Sequence, residues 1–177
     1  DANTRLYFQP NANYNGTLAS AITFRAWDQT SGSNGTLADA STNGGTTAFS
    51  TATDTAALTV NAVNDAPVLD ASKSPVLTAI NEDTGAPVGA VGTLVSGLVD
   101  FAVPAGQVDN VTDVDSGALL GLAVTAADTT NGTWFYSTNN GASWNALGAV
   151  ANNNARLLAA DANTRLYFQP NANYNGT

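Results

Sequence analysis

Fourteen acidic side chains stand against five basic ones in a chain with neither Cys nor His, so carboxylates are the groups left to do chemistry. Without His or Cys there is no nucleophile triad, no zinc site and no imidazole proton relay. A carboxylate pair for glycoside hydrolysis has no supporting motif, and catalysis is not expected. What the carboxylates can do is meet a cation: alternate residues in Asp113-Val114-Asp115 can converge on one ion when they sit on a loop. The competing reading makes them a solvated turn before a strand.

The charge balance narrows the partners. A net charge of −9, with Lys73 the single lysine, leaves no basic patch to neutralise a phosphate backbone or to dock on anionic lipid. Neither nucleic acid nor a membrane surface is an expected partner. Unbalanced carboxylates repel one another in the folded state, and divalent cations relieve this, which points outside the cell. No charged-then-apolar leader and no long apolar run occur in the sequence, so membrane insertion is not expected of this segment and any export signal is expected beyond it.

The segment DANTRLYFQPNANYNGT at 1–17 returns unchanged at 161–177, its two copies starting 160 positions apart. Chance does not produce a match of this length, so the parent is read as an array. A period of 160 residues is that of a whole domain, far beyond the 20–50 residues of solenoid units, and implies beads on a string.

The elements that would position the acidic residues are strands. Ile22–Trp27 alternates, with Ile22, Phe24 and Ala26 on one face; Ala56–Val63 carries the row Leu58, Val60, Ala62; and Leu122, Val124 and Ala126 form a third row. Leu6–Phe8 reads as a strand stopped by Pro10 before an Asn-rich turn closed by Gly16. Gly132–Gly148 reads as a hairpin around Asn139-Asn140-Gly141, because Asn-Gly supplies positive φ. Pro67 follows a strand directly and forces Ala66 to extended geometry, so the domain boundary is placed there, with residues 1–64 closing one repeat and 65–177 opening the next. Trp27, Trp134, Tyr136 and Trp144 are taken as exposed aromatics, for which packing is favoured over glycan stacking.

Two resemblances rest on these residues. The hairpin core, S-x-N-x-G-x-S-W from Ser137 to Trp144, resembles the Asp-box of sialidases and propeller proteins, a turn-forming element, with Asn139 where that family has Asp. Taken in order, YFQPNANYNGT (7–17), ITFRAWDQT (22–30) and DTAALTVNAVNDAPV (54–68), followed by INEDTG (80–85) and TDVDSG (112–117), resemble bacterial cadherin-like tandem repeats of giant adhesins and biofilm proteins. The resemblance implies an all-β fold, an Ig/cadherin-like Greek-key β-sandwich per repeat, joined end to end with Ca2+ at the junctions. It matches Asn64 and Asp65 to linker ligands, Asp113 and Asp115 to the paired acids of the following domain, Asp28 to the acid ending the sixth strand, and Glu82 to the acid near the first. The linker is shorter than the animal form, no clear DRE motif is present, and one ion is expected. The local alternative for Asn64 and Asp65 is a hydrogen-bonded linker turn.

The function expected on these grounds is a structural or adhesive repeat of a secreted protein at a bacterial cell surface or extracellular matrix, acting as a calcium-stiffened spacer or filament-forming unit. The alternative is a glycan- or protein-binding module of a secreted protein or enzyme. Thr177 falls after the Asn-rich turn, so the second sandwich is expected to take the equivalents of Ile22–Trp27 and Leu58–Val63 from a neighbouring copy, head to tail.

Overall fold

A computed structural model describes residues 3–176. Its regular structure is β-strand gathered into small antiparallel sheets, and helix among the described residues is a single 3-10 turn, Val95–Gly97. Among the described residues no helix is long and apolar enough to cross a membrane. Contacts divide the chain into two compact units, residues 1–64 and 65–177.

The first unit is built on an antiparallel pair, β1 (Gly16–Phe24) and β2 (Asp54–Val60). Leu18 faces Leu58 and Ile22 faces Ala56, and between these pairs three residues of β1 oppose one of β2, a bulge. Strand alternation puts Leu18, Ile22, Phe24, Ala56, Leu58 and Val60 on one face and Thr17, Thr23, Thr55 and Thr59 on the other, where Thr17 Oγ1 lies 3.1 Å from Thr59 Oγ1.

The strand expected at Ile22–Trp27 therefore begins six residues earlier, at Gly16, and stops at Phe24. Beyond it the chain is held by a loop instead: Ser50 N–H donates to Ala26 O at 2.9 Å, Arg25 donates to Ser50 O at 2.9 Å, and Trp27 bridges Phe49. The second expected strand likewise shifts toward its N-terminal side and ends at Val60, before Ala62. Leu6–Phe8 is not a strand, although the identical residues 166–168 are. Nothing in those residues differs, so the difference lies in the partner strands, which the first unit does not offer them.

The second unit contains β3 (Val68–Leu69), β4 (Thr93–Leu94), β5 (Val111–Thr112), β6 (Gly121–Val124), β7 (Gly132–Ser137), β8 (Asn145–Ala146), β9 (Arg156–Ala159) and β10 (Arg165–Pro170). They form a four-stranded sheet in the order β4-β10-β7-β8 and two-stranded sheets β3-β5 and β6-β9. Between these sheets lies the core: Val95, Val99, Val111, Leu147, Leu158 and Leu166. The core takes residues from all parts of the unit because each short strand contributes only one or two inward side chains.

The turn between β7 and β8 is made by its side chains. Ser137 Oγ accepts the Gly141 N–H at 2.9 Å, Asn139 Oδ1 accepts the Ser143 N–H at 2.9 Å, and Asn140 and Gly141 take φ of 54° and 84°. A Cβ on Gly141 would stand 1.8 Å from the Gly89 carbonyl oxygen, so glycine is required by space as well as by φ. The aromatics taken as exposed are half-buried: Trp134 packs on Phe168 at 4.9 Å, Trp144 on Tyr167 at 5.9 Å, the Arg156 guanidinium lies 4.9 Å above Tyr136, and Trp27 donates to Ser31 O at 2.8 Å.

Asp100 stands at the centre of a loop. It accepts backbone N–H groups from Gln107, Val108 and Asp109. Burial raises its carboxyl, and the three donors outweigh burial and hold it below the ordinary value. A depressed folded-state pKa contributes stability above the unfolded value, lost as pH falls through the folded one. Asp100→Asn is therefore expected to cost about 1–3 kcal/mol at neutral pH. The gap to the parent should narrow below about pH 4. Urea unfolding at both pH values checks this, and equal stability of the two proteins at neutral pH would contradict it.

Candidate functional site

β5 leads directly into the loop that carries Asp113 and Asp115. Both are half-buried while Val114 between them is exposed. Asp115 N–H donates to Asp113 Oδ1 at 2.9 Å and Ala118 N–H to Asp115 O at 3.3 Å, closing the loop on itself. Asp65 N–H donates to Asp115 Oδ2 at 2.8 Å. The start of the second unit is thus tied to a loop fifty residues farther along through the backbone N–H of Asp65.

Of the six candidate ligands, the structure brings together Asp65, Asp113 and Asp115. Asn64, exposed, is the residue before Asp65 and ends the first unit. Asp28 lies in the first unit, where its Oδ1 accepts from Thr30 Oγ1 at 2.6 Å and Thr30 N–H at 2.9 Å. Those bonds, the hydroxyl first, hold its carboxyl below the usual range. Glu82 Oε2 accepts from Asn175 Nδ2 at 3.1 Å. Beside it Asp83 Oδ1 accepts the Asn173 N–H at 2.8 Å, so INEDTG grips the second copy of the Asn-rich turn.

Six acids of the chain share one local habit. Asp28, Asp39, Asp70, Asp113, Asp128 and Asp161 each accept the N–H two residues on, an Asx-turn. What sets Asp113 and Asp115 apart is the added bond from Asp65. Their oxygens suit a hard cation in kind, with no nitrogen or sulfur donor present. Among the described residues no three Asp, Glu, His or Cys side chains gather closely enough to hold a metal. Asp113 and Asp115 supply two carboxylates toward the six to eight oxygens that calcium takes.

Sequence reasoning missed three working groups: Asp100, Asp83, and the Asp65 amide. Asp83 could have been found, since it adjoins Glu82 in a turn-forming run. The other two act through loop closure, which no local pattern announces. Their chemistry is that of loop and linker fastening. No protein-family model matches the chain, and no curated protein and no solved structure matches it either.

Proposed function

We propose that the chain is a structural or adhesive repeat of a secreted bacterial surface or matrix protein, a calcium-stiffened spacer or filament-forming unit. Its repeats are Ig/cadherin-like Greek-key β-sandwiches joined end to end. The observation that carries the reading is the unchanged return of residues 1–17 at 161–177. A unit repeated at a domain-sized interval spaces something regularly, whereas a dedicated receptor or catalytic site needs to occur once. The acidic balance and the Asp65–Asp115 fastening support a calcium site on Asp65, Asp113 and Asp115.

Calcium that binds the folded chain alone stabilises it by about 2.7 kcal/mol at a hundredfold excess over Kd. For a domain of this size that raises Tm by about 5–10 °C. Thermal unfolding in calcium and in chelator measures the shift, and the double variant D113N/D115N should lose it. Identical melting in both solutions would contradict the calcium reading.

A further inference from the structure

We propose that Asn34 is a site of spontaneous modification in the folded chain, converting through a cyclic imide to isoaspartate and aspartate, while the same Asn-Gly dipeptide at 43–44 and 140–141 is shielded by the fold. The reaction needs a nucleophile, the backbone nitrogen of the residue after Asn, and room for a five-membered ring. Glycine in that place hinders the attack least, because it has no Cβ. By sequence the three pairs are therefore equivalent, and their hydrogen bonds separate them.

Asn34 and Gly35 are the two central residues of a turn closed from Ser33 to Thr36. Thr36 N–H donates to Ser33 O at 3.1 Å, and Thr36 Oγ1 donates to the same carbonyl at 2.8 Å. Closing a β-turn uses the N–H of its fourth residue and leaves that of its third unused. The third residue here is Gly35, exposed and at φ 85°, and among the described residues its N–H has no acceptor. A Cβ built on Gly35 would meet nothing within 4 Å, so the ring has space to close.

The other two pairs lack both conditions. Gly44 N–H donates to Phe49 O at 2.9 Å, and a Cβ on Gly44 would lie 2.5 Å from Thr51 Oγ1. The Asn43 amide nitrogen is itself engaged, donating to Ser41 O at 2.9 Å. Gly141 is buried with its N–H on Ser137 Oγ, and Asn140 Oδ1 accepts from Arg165 Nε at 2.7 Å. Asn140 is exposed, as Asn34 is, so exposure of the asparagine does not decide the matter. What decides it is whether the next N–H is already in use, and in each pair that is settled by bonds within a few residues.

In the reaction the Gly35 nitrogen bonds to Asn34 Cγ, the Cγ–Nδ2 bond breaks, and ammonia leaves with the proton from Gly35. Water then opens the imide at either carbonyl, giving aspartate or, with the main chain rerouted through the side chain, isoaspartate. One water enters and one ammonia leaves, with no oxidant or reductant. The product carries a new carboxylate, so a chain already at −9 becomes more acidic with age. It also loses the nitrogen by which Asn34 donates to Thr4 Oγ1 at 3.1 Å.

Incubating the folded 177-residue chain in mildly alkaline buffer made with heavy-oxygen water, and locating the isotope by tandem mass spectrometry, tests this. Asn34 is expected to convert at least about tenfold faster than Asn43 and Asn140, the factor set by opening one hydrogen bond. In urea strong enough to unfold the chain, the three rates should converge. Equal rates in the folded chain, or an order of rates that survives in urea, overturns the proposal.

Discussion

Leu166→Ala is expected to lower the unfolding free energy by about 2–5 kcal/mol, and Leu6→Ala by less than about 0.5 kcal/mol, although the two leucines occupy identical sequences. Leu166 is packed with Val95, Val99 and Leu158 in the core of the second unit. Its backbone pairs with Thr93 on one side and Tyr136 on the other. Truncation there loses the transfer free energy of the side chain and leaves a cavity that two flanking strands prevent from collapsing. Leu6 has water around it already. Urea unfolding of both variants reads the contrast, and similar losses would mean that residues 1–10 are buried in solution.

Legibility followed the range of the interactions involved. The turn at Asn139–Gly141 was readable because its partners lie within six residues and positive φ is a property of Asn-Gly itself. The rows Leu58, Val60 and Leu122, Val124 were readable because alternation is local too. Where β1 begins was not. Its onset at Gly16 is set by pairing with Val60, far away in sequence. Leu6–Phe8 and Leu166–Phe168 show the limit most plainly, since one pattern adopts two fates. The aromatics could not be sorted by pattern either, for Trp134 meets Phe168 only across the β7-β10 pairing.

At the candidate junction, the nearness of Asp113 to Asp115 was visible as spacing on a loop. The fastening of Asp65 through its N–H was invisible, because any residue but proline has that donor. The match of Asp28 to a ligand came from its place after a strand, and the bonds that its Oδ1 accepts from Thr30 were not visible in that pattern.

Lengthening the chain by a second copy of residues 18–64 after Thr177 tests the central claim, that a whole repeat runs from Asp65 through the equivalent of Asn64. The added hairpin would follow the second Asn-rich turn as β1 follows the first. The apolar face of Leu18, Ile22, Phe24, Leu58 and Val60 would leave the surface, and the completed repeat is expected to melt at a higher temperature than the parent. The measurement is thermal unfolding of the lengthened and parent chains side by side in chelator. The account predicts a single transition for the completed repeat at the higher temperature, with the added residues protected from protease. An unchanged Tm with the added residues readily cleaved would contradict it.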